Sequence, residues 1–378
     1  MGVEKKTKIL YLINSLSVGG AEKMLLDLCK NLPKDRFEIA VGTVMGGGQL
    51  EEEYRETGVE LFLYTKQTKL GFDVIKNFKK VIKQFKPDII HTHLLSADTW
   101  GRIAAKQLRH PLVVTTEHNR NLEEGPFVKS IKHFLSFFTS VIVASSDAIK
   151  EYQITKERIL KKKIRVINYG IDLEKYPFRG VKVARYGENH LKFTTIGRLA
   201  HQKGQRFLIE AMAKLDDDYP EIYCEIAGGG DRKEVLMDVA KRVHVEDKIN
   251  FLGVVDDVTA VLNNTNIFVL PSLYEGLGIV LLEAMSVGVP IIASDIPAVN
   301  ELIRDEETGL LFESENSDDL VERIIYLLKN PELQAEMIEN ARTLVEESYS
   351  VERMVKEYDG LYRDLLGNEK KFAIHYEN

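Results

Sequence analysis

The stretch Leu270-Pro-Ser-Leu-Tyr-Glu-Gly-Leu-Gly-Ile-Val-Leu-Leu-Glu-Ala-Met-Ser-Val-Gly-Val-Pro-Ile-Ile-Ala-Ser294 leaves this chain few ways to fold. The apolar run 267–270 predicts a buried strand. A Pro-Ser turn follows, carrying Gly276 and Gly278 one residue apart. An apolar helix is expected over 279–287, ended by Gly288-Val289-Pro290 ahead of a second buried strand at 291–294. A strand that feeds a glycine turn at a helix N-terminus aims free backbone N–H groups at one spot, and the helix dipole makes that spot attractive to phosphate. Glu275 and Glu283 flank this spot. Two acids beside a phosphate cradle repel the ligand unless each accepts a hydroxyl hydrogen bond. A nucleotide sugar, with its ribose and hexose hydroxyls, fits the stretch better than a bare nucleotide.

The rest of the chain repeats the alternation. Strand patterns over 8–13, 37–44, 59–63, 88–91, 112–116 and 140–144 are separated by helical patterns over 21–32, 50–57, 73–85, 99–108 and 127–138. One more short strand falls within 161–174, and 173–190 lacks periodicity and reads as a linker. The pattern then restarts, with strands over 192–196, 222–227, 249–252, 267–270, 290–293 and 310–312. Helices are expected over 205–215, 232–243, 257–262 and 279–287, and 317–329, 331–348 and 351–366 are all helical in pattern. The expected class is α/β: two doubly wound Rossmann-like domains, 1–172 and 191–350, facing each other across a cleft that holds the ligand.

A length of 378 residues is enough for both cores. The two cysteines, Cys29 and Cys224, sit far apart in regular apolar patterns, which argues against a disulfide framework and for a reducing compartment. No apolar run approaches the roughly 18 residues of a membrane span. Residues 1–16 read as a first strand, not a signal peptide. A cytoplasmic protein is expected. Charge is unevenly divided: through His190 there are 32 Lys and Arg against 22 Asp and Glu, and beyond it 19 against 36. The first half can therefore face an anionic surface; a solvated surface without a partner is the other reading.

Three further loops carry candidate chemistry. The first strand ends in Asn14-Ser-Leu-Ser-Val-Gly-Gly-Ala-Glu22, where Gly19-Gly20 lets backbone approach a ligand closely, although a structural turn explains the pair as well. It is not the Gly-x-Gly-x-x-Gly of a dinucleotide site. Gly197-Arg198-Leu-Ala-His-Gln-Lys203-Gly204 follows a strand, and its Arg fork and Lys point charge suit the two phosphates of a diphosphate. His118, after the strand 112–116, can hydrogen-bond a sugar hydroxyl or stabilise developing charge; a structural histidine is the alternative. His91 and His93 can share one face of an emerging strand, but no cluster completes a metal site there. Asp216-Asp-Asp218 reads as a solvated helix end. P-loop and Gly-x-Ser-x-Gly motifs are absent.

On these residues the chain resembles the retaining glycosyltransferases of family four, the group 1 transferases with the GT-B fold. The resemblance spans nearly the whole length. It rests on Gly19-Gly20-Ala21-Glu22, Asp88-Ile-Ile-His-Thr-His93, His118, Asn168-Tyr-Gly-Ile-Asp172, Gly197-Arg198-Leu199 with Lys203-Gly204, Gly228-Gly-Gly-Asp231 and Phe251-Leu-Gly253. Most specific is Glu275-Gly-Leu-Gly-Ile-Val-Leu-Leu-Glu283 followed by Gly288-Val-Pro290. Two departures are visible: the family often has Pro before Asn in the Asn168 segment, and Phe at Leu277.

The resemblance implies that Glu283 holds the donor ribose and Glu275 the transferred sugar. Arg198 and Lys203 would neutralise the leaving diphosphate, with backbone N–H groups of Gly19, Gly20, Leu277, Gly278, Ile279 and Val280 around it and Gly197 and Gly276 in the same donor site. Gly229, Leu252 and Gly253 would border the base, and His118 would sit beside the sugar. Asn14, His93 and Asn119 are weaker, acceptor-side candidates. It also implies that 351–378 returns to an acceptor-binding first domain, and that no metal or other cofactor is needed. Acceptors in such a family are often lipid-linked, and contact with anionic lipid is expected through Lys76, Lys79, Lys80, Lys83, Lys86 and the segment 127–138, unless these are core-packing helices with solvated lysines.

The expected activity is a retaining, metal-independent transfer of a hexose or N-acetylhexosamine from a nucleotide diphosphate sugar to a glycan or lipid-linked acceptor in cell-surface polysaccharide or glycolipid synthesis. No nucleic-acid partner is expected. The rivals are a nucleotide-sugar 2-epimerase of the same architecture and a non-catalytic sugar-nucleotide-binding protein.

Overall fold

The structure is a computed structural model that describes residues 5–67, 71–110, 112–120, 122, 124–185, 187, 190–215 and 218–376. Asp216 and Asp217 of the aspartate triplet lie outside them. The chain divides into two compact units: one runs to Gly170 and resumes at Val351, and the other spans Ile171–Ser350.

Unit 1 is built on strands β1 (Thr7–Ile13), β2 (Phe37–Thr43), β3 (Glu60–Phe62), β4 (Ile89–His93), β5 (Val113–Glu117), β6 (Val141–Ala144) and β7 (Ile164–Val166). They form one parallel sheet in the order β3-β2-β1-β4-β5-β6-β7. Ile9 to Ile13 have no exposed surface, the mark of a central strand covered on both faces, so its sequence is a continuous apolar run. Strand order reverses between β1 and β4, the place where doubly wound sheets open a crevice at the carboxyl ends of their strands.

Unit 2 repeats the plan with β8 (Leu191–Ile196), β9 (Ile222–Ala227), β10 (Ile249–Gly253), β11 (Ile267–Leu270), β12 (Ile291–Ser294) and β13 (Leu310–Phe312). Their order is β10-β9-β8-β11-β12-β13, again parallel, with the reversal between β8 and β11. The helix Ile279–Val287 joins β11 to β12. Leu281, Leu282 and Met285 within it are fully buried. Each contributes about 2 kcal/mol of hydrophobic stabilisation, and a helix apolar all round is the kind that packs inside.

Several elements differ from the sequence reading. The helix expected over 99–108 begins at Leu95, because Asn14 Oδ1 accepts the Ala97 N–H at 2.9 Å and satisfies a first-turn donor. A helix at Asp147–Thr155, capped by the Ser146 side chain, was not anticipated. The aperiodic segment after Leu173 is no free linker. Tyr176 and Ala184 are buried in unit 2, and Ala184 exchanges hydrogen bonds with the Gln334 side chain at 2.8 and 2.7 Å. Irregular chain can bury single side chains without any periodic signal.

The last helix, Val351–Tyr376, belongs to unit 1. Tyr358 and Tyr362 are buried there, Tyr362 Oη lies 2.9 Å from Tyr11 Oη, and Asp359 pairs with Arg36 at 2.9 Å.

Candidate active site

In unit 2, β8 and β11 are hydrogen-bonded neighbours, with Phe193 beside Ile267 and Thr194 beside Phe268, so the loops that follow them emerge together. They are knitted by two bonds: the Leu273 N–H donates to Gln202 O at 2.8 Å and Gln202 Nε2 donates to Tyr274 O at 2.9 Å. Gly204 permits this approach. It has φ +59°, and a Cβ there would lie 1.9 Å from Pro271 O.

The knitting sets the charges. Lys203 Nζ donates to Glu275 Oε1 at 2.5 Å, and Ser272 Oγ donates to the same oxygen at 2.7 Å. Glu275 is buried, as is Glu283, whose Oε1 accepts from Tyr176 Oη at 2.6 Å. Gly278, at φ +88°, caps the helix Ile279–Val287. The N–H groups of Ile279 and Val280, in its first turn, lack helical acceptors and carry the positive end of its dipole. Leu277 turns its side chain inward, leaving its backbone as its contribution.

The neighbouring strand ends join the same group. The Gly197 N–H donates to Ala227 O at 2.9 Å, that of Leu199 to Gly229 O at 2.8 Å, and that of Gly228 to Gly253 O at 2.7 Å. Gly197, Gly229, Leu252, Gly253, Gly276 and the two glutamates therefore gather at the carboxyl edge of one sheet. Arg198, on the same loop as Lys203, is exposed.

In unit 1 the corresponding edge is neutral and aromatic. His91 and His93 emerge on one face of β4 with rings stacked 4.3 Å apart, and the His118 ring centre lies 5.1 Å from that of His93. His93 Nδ1 and His118 Nε2 are hydrogen-bonded at 2.9 Å, and His118 Nδ1 is hydrogen-bonded to Tyr169 Oη. His91 is held by Tyr362 Oη and Thr116 Oγ1, each at 2.7 Å. Burial pushes His118 down to about 3 and His91 and His93 well below the usual imidazole range. All three are neutral at pH 7. A neutral ring has one donor and one acceptor and no charge, and those of His91 and His118 are engaged by Tyr362, Thr116, His93 and Tyr169.

The acceptor-side candidates fare unevenly. His93 has no exposed surface and Asn14 is occupied with Ala97, whereas Asn119 is half-buried. Gly19 precedes the helix Gly20–Asn31, where burial raises the Glu22 carboxyl. One expectation is corrected. Lys132, inside the segment read for lipid contact, is buried against Glu117, Glu124 and Glu157 at 3.2, 3.0 and 3.3 Å and cannot face a membrane.

Sequence reasoning missed Tyr169, Tyr176, Ser272 and Tyr362. Ser272 reads only as part of a turn and Tyr169 only as part of the Asn168–Asp172 segment, while Tyr176 and Tyr362 sit in aperiodic chain or on a distant helix and carry no local signal.

Comparison with known proteins agrees with this geometry. The model of glycosyl transferases group 1 matches residues 182–344, and that of glycosyltransferase family 4 matches residues 18–175. The chain is a group 1, family 4 glycosyltransferase. This glycosyltransferase is 28% identical over 385 residues to the Escherichia coli UDP-Gal:alpha-D-GlcNAc-diphosphoundecaprenol alpha-1,3-galactosyltransferase, covering 96% of this chain and 98% of that one. It is 27% identical to the Bacillus anthracis N-acetyl-alpha-D-glucosaminyl L-malate synthase, covering 95% and 97%. Among solved structures, Anabaena HepE in complex with UDP and glucose superposes with a TM-score of 0.83 at 22% identity, covering 95% of this chain and all of that one. The fold of the transferase is thus GT-B, with two Rossmann-like units.

Proposed function

We propose that this glycosyltransferase is a retaining, metal-independent hexosyltransferase. In this reading it takes a hexose or N-acetylhexosamine from a UDP-sugar and places it on a glycan or lipid-linked acceptor in cell-surface polysaccharide or glycolipid synthesis. One observation carries it: around a single helix N-terminus stand a glutamate held by Lys203 and Ser272 and a second glutamate oriented by Tyr176. The name of the Escherichia coli relative and the UDP bound to HepE support the UDP-sugar donor and the lipid-linked acceptor, and the Bacillus anthracis name supports transfer of an N-acetylhexosamine.

Glu283 accepts from the ribose hydroxyls and Glu275 from those of the transferred sugar. Gly229, Leu252 and Gly253 border the base. The diphosphate lies at the amides of residues 277–280. As the bond from the anomeric carbon to the diphosphate breaks, negative charge grows on the leaving oxygens, and Arg198, Lys203 and the helix dipole stabilise it without a metal. The acceptor oxygen bonds the anomeric carbon on the face the diphosphate leaves, and its proton passes to a donor phosphate oxygen. His118 is a neutral ring whose two nitrogens are engaged by His93 and Tyr169, so it supplies no charge to the reaction. A cytoplasmic location with peripheral contact at an anionic membrane completes the reading.

The test is thermal denaturation and UDP release with UDP-glucose, UDP-galactose and their N-acetylamino counterparts, each with and without EDTA. At least one should raise Tm and be turned over at a rate that EDTA leaves unchanged. No shift with any of them would overturn the donor class, and EDTA-sensitive turnover the metal independence.

A further inference from the structure

Part of the excess positive charge of the first half lies along one helix of unit 1. On the helix Phe72–Phe85, Lys76, Lys79, Lys80 and Lys83 recur at helical spacing together with Phe72 and Ile75. They lie opposite the buried stripe of Val74, Phe78, Val81, Ile82 and Phe85. These residues line a groove of about 550 Å³ closed by Gln107 of the helix Leu95–Gln107, to which Lys79 Nζ donates at 3.1 Å. Beside Gln107, Lys106 opens a second hollow of about 420 Å³, shared with Arg109, His110, Phe137 and Phe138. Both hollows take a residue from the last turn of the helix Leu95–Gln107.

Aromatic rings stand out from the same region. Phe72, Phe127, Phe134 and Phe137 are 66, 76, 56 and 56% exposed. Phe127 and Phe134 are two turns apart on one face of the helix Pro126–Ser136. Water disfavours such a cluster of bare rings, so a face of this kind marks a contact surface. Lys106 Nζ lies 4.9 Å and 3.4 Å from the centres of the Phe134 and Phe138 rings, and those two rings meet edge-on at 5.3 Å. A cation seated on rings is the arrangement in which aromatics enter an apolar layer while the ammonium stays at its charged edge. The Phe138 face is then covered and not open to stack a nucleic-acid base.

We infer that this face docks on an anionic lipid bilayer, with the phenylalanines at the acyl boundary and Lys76, Lys79, Lys80, Lys83, Lys106 and Arg109 on the phosphate headgroups. Lys132, buried among its three carboxylates, takes no part. The inference names the surface for the membrane contact of the proposed function and rests on that reading for its purpose. Vesicle binding involves no turnover, so the two fail separately.

The full chain is sedimented with vesicles of phosphatidylcholine alone, or mixed with phosphatidylglycerol, at low and at high salt. It should pellet with the mixed vesicles at low salt and be released at high salt. Lys76→Gln, Lys80→Gln and Lys83→Gln together should lower partition by about a hundredfold, about fivefold per lysine. Phe127→Ser with Phe134→Ser should lower it by about tenfold per ring. All five positions are exposed, so an unchanged Tm confirms that the variants fold. Equal pelleting on neutral vesicles, wild-type partition of either variant, or tighter retention on single-stranded oligonucleotide than on the mixed vesicles would each overturn the inference.

Discussion

The two units share one strand plan and differ in what stands at its reversal point. In unit 2 that point is charged: Lys203 on Glu275, and Glu283 under Tyr176. In unit 1 it holds three neutral imidazoles, His91 stacked on His93 and His118 tilted against it, hydrogen-bonded among Tyr169, Tyr362 and Thr116. The topology selects where a ligand site forms, and the loop residues select what it binds. A charged edge at a helix N-terminus suits a diphosphate, whereas the neutral imidazoles are satisfied by one another and by hydroxyls of their own unit.

Acid should break the comparison most strongly. The unfolded chain titrates its histidines near 6.5, whereas in unit 1 His118 is held down to about 3 and His91 and His93 lie well below the usual range. The unfolded state thus binds more protons below about pH 6.5. The histidine contribution should be level above that pH and fall as pH drops from there towards 3, by up to about 1.4 kcal/mol per pH unit for each histidine, opposed in the same unit by the raised carboxyls of Glu22, Glu117 and Glu157. The histidines of unit 2, at His190, His201 and His244, are exposed. Urea denaturation followed by hydrogen exchange at pH 7 and pH 5 should therefore show unit 1 opening first at pH 5; simultaneous loss of both units would contradict the assignment.

On the charged side, Lys203→Ala should slow transfer by about 10²–10³-fold while weakening donor binding much less, because leaving-group charge is greatest in the transition state. Single-turnover rates beside calorimetric affinities give the answer, and equal losses in both would remove the role. Glu283→Ala should weaken UDP binding by about 10–100-fold through loss of a charged hydrogen bond. An unchanged affinity in calorimetry would mean that the ribose is held elsewhere. Tyr176→Phe removes one hydroxyl from a buried carboxylate and should weaken the same affinity by about fivefold to tenfold, near 1 kcal/mol. Wild-type binding would show that Glu283 keeps its orientation without it.

Much of this was legible in short stretches. The apolar runs at Ile9–Ile13 and Ile267–Leu270, and the glycine turn at Gly276–Gly278, announce a parallel sheet and a helix N-terminus at its edge. Lys203 and Glu275 were each legible as candidates, but their ion pair was not. It depends on the Gly204 loop passing close to Pro271. The segment after Leu173 read as a linker because Tyr176 and Ala184 are buried one at a time, without a period. Likewise the lysines of 127–138 look equivalent in sequence, and only packing separates buried Lys132 from half-buried Lys129.

By itself the sequence determined two doubly wound α/β units and the strand ends on which chemistry could sit, because strand and helix periods and glycine turns are set by neighbours a few residues apart. Tertiary structure alone decided that Tyr176 meets Glu283 across 107 residues and Tyr362 meets His91 across 271. It decided too that the histidines are neutral and which lysines face outward. Those properties depend on what the closed fold places around each group and on how much water it leaves there, and no local pattern encodes either.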